Sequence, residues 1–189
     1  MTKAELRREY RTKRKALTHQ EYAQRNEQIF THFQQHFPVT QPITVHCYLS
    51  SEEKREASTD MIITYLLAQP QVRIVTPRSY ANGILTHHLF TRDTDLEISQ
   101  WNIQEPLASE PLVPVEELDW VLVPLLAFDL SSYRVGYGGG YYDRFLGQCR
   151  SNTIKIGLSL EPPVSQITDV DQYDIPLDYI ITPAQIFSY

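Results

Sequence analysis

The chain has 189 residues, 42% hydrophobic and 21% charged, with 17 Lys and Arg against 23 Asp and Glu for a net charge of −6. These values fit one globular domain with an ample core. Cys47 and Cys149 are too few for a disulfide scaffold or a zinc ribbon, the charged N-terminus is no signal peptide, and no apolar run reaches membrane-spanning length. A reduced, cytoplasmic protein without a membrane partner is expected, and a monomer, although no residue pattern decides the oligomeric state.

The charge is uneven. Residues 1–15 hold seven basic side chains against Glu5 and Glu9, a local charge of +5, so the rest carries −11. Thr2-x-x-Glu5 and Thr18-x-x-Glu21 read as capping boxes. They predict helices over 2–16 and 19–36, with Leu6, Tyr10, Leu17, Tyr22, Ile29, Phe30 and Phe33 facing inward, and Pro38 and Pro42 closing the second. Lys3 and Arg7, four apart, share a helix face. That face either converges on one anion or is simply solvated.

Ile43–Leu49 is a β-branched run and reads as a buried parallel strand. The polar loop Ser50–Thr59 at its carboxyl end is a candidate ligand site, and Thr59–Gln69 turns helical. Val72–Thr76 predicts a second short strand. Asn82-Gly83 signals a two-residue turn joining Arg78–Ala81 to Ile84–Phe90 as a hairpin. Trp101, ahead of a loop closed by Pro106, is either a packing anchor or a wall for a flat heterocycle. Leu118–Pro124 reads as a central strand running through Ala127–Asp129 into a glycine-rich stretch, with a helix over about 140–148. Ile154–Leu160 and Tyr179–Thr182 add two strands. The alternation predicts a single α/β domain, a largely parallel central sheet flanked by helices, behind two N-terminal helices.

The glycine-rich stretch Arg134–Phe145 (RVGYGGGYYDRF) holds four of the chain's seven glycines, Gly136, Gly138, Gly139 and Gly140, with Arg134, Asp143 and Arg144 beside them. Glycine admits positive φ and close approach to the backbone, so the stretch predicts either a structural turn or a loop whose amides meet a phosphate at the start of a helix. It is neither a Walker A loop, lacking the Lys-Ser/Thr pair, nor a dinucleotide fingerprint, whose third small residue is replaced by Tyr141 or Asp143 in the two possible registers. His32 and His36 have zinc-ligand spacing but no H-E-x-x-H context. His87 and His88 point to opposite faces of a strand. No Ser or Cys sits in a nucleophile elbow, and the twelve tyrosines are too scattered for an RNA-stacking platform.

The run VPLLAFDLSSYRVGYGGGYYDRFL resembles the 5-formyltetrahydrofolate cyclo-ligase (5,10-methenyltetrahydrofolate synthetase) family. Lys3-x-x-Leu6-Arg7, Glu56-x-x-Thr59, Trp101-Asn102-Ile103-Gln104-Glu105-Pro106 and Asp174-x-x-x-Asp178 are similar to family segments in the same order. The resemblance implies ATP- and Mg²⁺-dependent closure of 5-formyltetrahydrofolate to 5,10-methenyltetrahydrofolate. It implies Lys3, Leu6, Arg7, Arg134, Gly136, Tyr137, Gly138, Gly139, Gly140, Tyr141 and Tyr142 as ATP-binding residues. Glu56, Trp101, Gly138, Gly139, Gly140 and Tyr142 would bind the folate, polyglutamylated or not. Arg134, Tyr142 and Arg144 would serve catalysis, and Asp143 and Asp174 the Mg²⁺. The loop before Glu56 is about two residues longer than usual, so Glu52 or Glu53 is open for the same role. Ser132, Pro163 and Tyr173 replace a frequent family Gly, Gln and His. The rival reading is a nucleotide- or RNA-binding module of the same fold without ligase chemistry. The basic N-terminal segment favours it, while the acidic body and the lack of interleaved aromatics oppose nucleic acid.

Overall fold

A computed structural model describes residues 1–189, and both capping boxes form in it. Thr2 Oγ1 accepts from the Glu5 amide while the Glu5 carboxylate accepts from the Thr2 amide, starting α1 (Lys3–Ala16). Thr18 and Glu21 do the same for α2 (His19–His36). Next come β1 (Ile43–His46), α3 (Asp60–Leu67), β2 (Val72–Tyr80) and β3 (Ile84–Phe90). Short strands β4 (Leu96–Ile98) and β5 (Gln104–Pro106) precede β6 (Trp120–Pro124), β7 (Ala127–Phe128) and β8 (Arg134–Val135). The chain ends with α4 (Tyr141–Leu146), β9 (Ile154–Leu158), β10 (Tyr179–Ile181) and β11 (Ile186–Ser188). No helix is long and apolar enough to cross a membrane.

Seven strands form the main sheet in the order β11-β10-β9-β6-β1-β2-β3. The five inner strands are parallel, and β3 and β11 are antiparallel edges. Alternation sorts the side chains between two layers. Ile74, Leu122 and Ile181 face a core closed by Ile29 and Phe33 of α2 and Ile62 and Leu66 of α3. Val75, Val121, Val123 and Ile180 face the other way, against Phe145 and Leu146 of α4. Leu6 and Tyr10 of α1 build a third cluster with Leu126, Ala127 and Val135, which seats α1 over β7 and β8.

Three expectations need correction. β1 stops at His46, because the following residues leave the sheet to line a cavity. β2 runs nine residues, straight through Pro77. Its inner neighbour β1 pairs only with Val72–Val75, so beyond them β2 bonds to β3 alone and a residue without an N–H is tolerated. The hairpin turn has three residues, Ala81–Gly83, with Asn82 and Gly83 both left-handed (φ 64° and 78°). The two- and three-residue pairings β4–β5, β7–β8 and β10–β11 are too short to show an alternating pattern.

The β7–β8 turn is built on buried Asp129, whose carboxylate accepts from the amides of Ser131, Tyr133 and Ile167. Ser132 stands in this turn at φ 69°, and its side chain makes no hydrogen bond while its carbonyl accepts from the Leu177 amide. Ser132→Gly is therefore expected to raise stability by about 1 kcal/mol, read as a higher melting temperature.

On the α4 face, the imidazoles of His46 and His87 lie 5.1 Å apart, centroid to centroid, with Phe145 against both. Neither nitrogen of His46 nor Nδ1 of His87 has a partner. Burial, reinforced by the neighbouring imidazole, holds His46 well below its ordinary pKa; burial brings His87 down to about 4. The unfolded chain takes up these protons near the ordinary value of 6.5, whereas folded His87 does so only near about 4. Stability from this group is complete above the unfolded pKa and falls as pH drops toward the folded one, by at most about 3 kcal/mol. Urea unfolding at about pH 7 and pH 4.5 measures the fall, which His87→Phe should flatten.

Candidate active site

Gly138 and Gly140 take φ values of 101° and 68°, a left-handed sequence that only glycine adopts without strain. Three arginines grip the carbonyls of the loop they shape. Arg7 Nε donates to Gly136 O at 3.0 Å, Arg11 Nη2 to Tyr137 O at 3.3 Å and Arg144 Nη1 to Gly139 O at 2.8 Å. The amides of Gly136, Tyr137, Gly138, Gly139 and Gly140 donate to no protein group. A Cβ on Gly138 would stand 3.4 Å from the Arg7 guanidinium, and one on Gly139 only 2.7 Å from the Tyr141 ring. The loop borders a cavity of about 950 Å³, open at the carboxyl ends of the parallel strands. Five unpaired amides on a cavity wall, backed by cations, suit a phosphate chain.

One side of the loop is electrostatically braced. Arg134, buried in β8, donates to Asp143 Oδ1 at 2.8 Å and to Ile175 O at 2.6 Å. Burial pulls its guanidinium below the ordinary value, and the Asp143 charge acts against that pull. Asp143 Oδ1 also accepts from the Ile175 amide, and next along the chain Asp174 takes Lys3 Nζ on Oδ2. Partial burial works to lower the Lys3 pKa, but the hydrogen bond and charge of Asp174 carry it above its ordinary value. Asp143 Oδ2 and Asp174 Oδ1 accept from no protein donor. No three His, Cys, Asp or Glu side chains gather into a protein-only metal cage. Two carboxylates with a free oxygen each, beside a phosphate cradle, nevertheless fit Mg²⁺, which takes one or two carboxylates and completes its shell with phosphate and water.

The opposite side is less charged. Glu56 is buried, lines the cavity and accepts from the Ser51 amide at 2.7 Å through Oε2. Glu52 and Glu53 do not reach the cavity; the first pairs with Arg55 in solvent and the second binds Asn102 Nδ2. The Tyr142 hydroxyl is buried without a partner, and burial, followed by the Glu56 charge, keeps its pKa well above the ordinary value. It is a neutral donor awaiting an acceptor. Trp101 packs edge-on to Tyr141, and its carbonyl holds Lys54 Nζ at 2.8 Å.

Fifteen of the sixteen implicated residues line this cavity, the exception being Leu6. Leu6 is fully buried under α1 and acts by seating the helix that carries Lys3 and Arg7. Arg144 is exposed on α4, its guanidinium turned to Gly139 O and to the hairpin tip at Gly83. The basic face of α1 is directed inward: Arg7, Arg11 and Arg14 bond to the glycine loop and Lys3 to Asp174. His32 and His36 turn Nδ1 to Thr182 O and His32 O, and no third metal-ligating side chain gathers with them. His88 turns to Thr86 and Glu110, away from His87. Sequence reasoning passed over Lys54, Glu105 and Arg14. Glu105 is a buried cavity carboxyl whose pKa burial raises and which accepts from the Ser79 amide. A charged residue directly before a proline carries no sign of burial, and the 3, 7, 11, 14 spacing of basic residues puts Arg14 on one stripe with Lys3 and Arg7 without telling loop from solvent.

The 5-formyltetrahydrofolate cyclo-ligase family model matches residues 1–183. The chain is 29% identical over 182 residues to the 5-formyltetrahydrofolate cyclo-ligase of Escherichia coli K12, covering 95% of this chain and 99% of that protein. Its fold is shared with the 5,10-methenyltetrahydrofolate synthetase of Aquifex aeolicus (TM-score 0.80, 25% identity, 100% of this chain and 93% of that one). It is shared also with that of Mycoplasma pneumoniae (TM-score 0.74, 24% identity, 97% and 99% covered). A match along nearly the whole chain means that this protein belongs to the 5-formyltetrahydrofolate cyclo-ligase family.

Proposed function

We propose that this enzyme closes 5-formyltetrahydrofolate to 5,10-methenyltetrahydrofolate at the expense of ATP, with Mg²⁺, releasing ADP and phosphate. The observation that carries the reading is the glycine loop, with five unpaired amides on a cavity of about 950 Å³ and its carbonyls tied back by three arginines. ATP supplies the phosphoryl group that turns the formyl oxygen, a poor leaving group, into a good one, so that N10 can close on the formyl carbon. What is left to the protein is positioning and charge neutralisation, which explains a cavity without a nucleophile or a catalytic triad.

The residues divide between two substrates. The loop amides with Arg7 and Lys3 hold the triphosphate, and buried Arg134 keeps the loop and the 171–175 segment in register. Asp143 and Asp174 are the residues that would hold Mg²⁺, which would supply neutralisation of phosphate charge. Glu56 accepts from the pterin N–H groups, Trp101 flanks the flat ring, and Tyr142 donates its unpartnered proton to an oxygen at the reacting centre. Arg144 acts through the Gly139 carbonyl.

The deciding experiment follows near-ultraviolet absorbance with 5-formyltetrahydrofolate, MgATP and purified protein, because the methenyl product has a conjugated amidinium chromophore that the substrate lacks. A rise requiring protein, ATP and Mg²⁺ supports the reading, and no rise with active-concentration protein sinks it. In the same assay Asp143→Asn should lower kcat about 100-fold and raise the Mg²⁺ needed for half-maximal rate. An unchanged Mg²⁺ dependence would remove Asp143 from the metal site.

A further inference from the structure

Arg14 is 2% exposed, in the last turn of α1. Its Nη2 donates to Leu125 O beyond β6, its Nη1 donates to Tyr137 Oη at 3.0 Å, and its Nε has no partner. Anchoring the end of α1 to Leu125 needs one of these bonds. The other goes to the side chain of the glycine loop itself. The Tyr137 ring is about one-third exposed (37%), but its hydroxyl end is buried. Burial first, and then the nearby Glu56 charge, raises the phenol well above its ordinary pKa, so it keeps its proton. A phenol oxygen that accepts from a guanidinium has that proton left to give. Glu56 lines the same cavity as Tyr137, its charge acts on that phenol, and its Oε2 is already fixed by the Ser51 amide.

We propose that Arg14 is a positioning residue for the folate half of the site, acting through the Tyr137 hydroxyl to hold the Glu56 carboxylate toward the substrate's ring N–H groups. This rests on the activity assigned above. It divides Tyr137 in two: the backbone amide serves the phosphate chain, and the hydroxyl serves the folate carboxylate. A buried carboxylate needs hydrogen bonds and a compensating charge, and the Arg14–Tyr137 pair is the cation and hydroxyl placed to supply both. The relay also crosses the site, because α1, the glycine loop and the β1–α3 loop meet in it.

Calorimetric titration with 5-formyltetrahydrofolate, and separately with MgATP, tests this on wild type, Tyr137→Phe, Arg14→Lys and the double variant. Tyr137→Phe should weaken folate binding about tenfold and leave the MgATP Kd within about twofold. Adding Arg14→Lys to Tyr137→Phe should cost the folate nothing more, since both act through one hydroxyl. The proposal fails if Tyr137→Phe leaves the folate Kd unchanged, if MgATP weakens equally, or if the two losses multiply. Should Arg14→Lys not fold, Tyr137→Phe alone decides, because it removes one oxygen from a partly exposed ring. Wild-type protein that binds MgATP but not 5-formyltetrahydrofolate would overturn the functional reading itself, a result separate from any difference between variants.

Discussion

The grip of three arginines on the carbonyls of Gly136, Tyr137 and Gly139 is the constraint on which the site depends. A loop with three positions free of side chains in a row, two of them left-handed, has no intrinsic reason to hold one shape. Bonding its carbonyls to guanidinium groups defines its outer side, and the peptide plane then turns the amides the other way. Each such bond to a charged group contributes about 1.5–3 kcal/mol, enough in sum to offset the entropy of ordering a few glycines. Two of the arginines come from α1 and one from α4, so the loop is held between the helix before the sheet and the helix that follows the loop. The same bonds place positive charge behind the amides, where a phosphate chain gains from it.

The position of α1 is therefore a functional matter. Its apolar residues Leu6 and Tyr10 bind it to β7 and β8, while Lys3, Arg7, Arg11 and Arg14 recur every three or four residues along the neighbouring stripe. A helix docked by one stripe and reaching into a site with the next cannot rotate without losing both. The parallel sheet does the rest. All five inner strands deliver their carboxyl ends to one side, so the Glu56 loop after β1 and the segment after β6 arrive at the same cavity as the glycine loop.

What was legible in the sequence follows this division. Capping boxes at Thr2 and Thr18 and the β-branched runs are local signals, and the helices and inner strands they mark are present within a few residues. The glycine loop was legible because glycine is needed there for backbone reasons that nothing else satisfies. The choice among Glu52, Glu53 and Glu56 was not, because it turns on the path of a loop; only the fold shows Glu56 buried and the other two facing away. Arg14 was illegible for a related reason. On one helix a basic stripe looks the same whether it meets water or the back of a loop, and only the docking of Leu6 and Tyr10 distinguishes the two. The full length of β2 was not legible either: the β-branched run ends at Thr76, and the continuation through Pro77 depends on pairing with β3 alone.

The polar groups left unsatisfied beneath the site complete the picture. Tyr142 Oη, both nitrogens of His46, Nδ1 of His87 and Nε of Arg14 are buried without partners, and an unpaired buried polar atom costs about 1–3 kcal/mol. Tyr142, His46 and His87 group around Phe145 under α4 and Arg14 lies behind Tyr137, while single atoms of Arg55, Thr76, Arg78 and Ser99 are also unpartnered away from this group. The rest of the interior is ordinary, with Ile, Leu, Val and Phe in well-separated layers. The deficits grouped under α4 and behind the glycine loop give up stability where ligands arrive. Tyr142 shows why this is of use. Its proton has no acceptor in the protein and its high pKa keeps that proton in place. The first acceptor to enter the cavity therefore gains a hydrogen bond without having to displace an existing one.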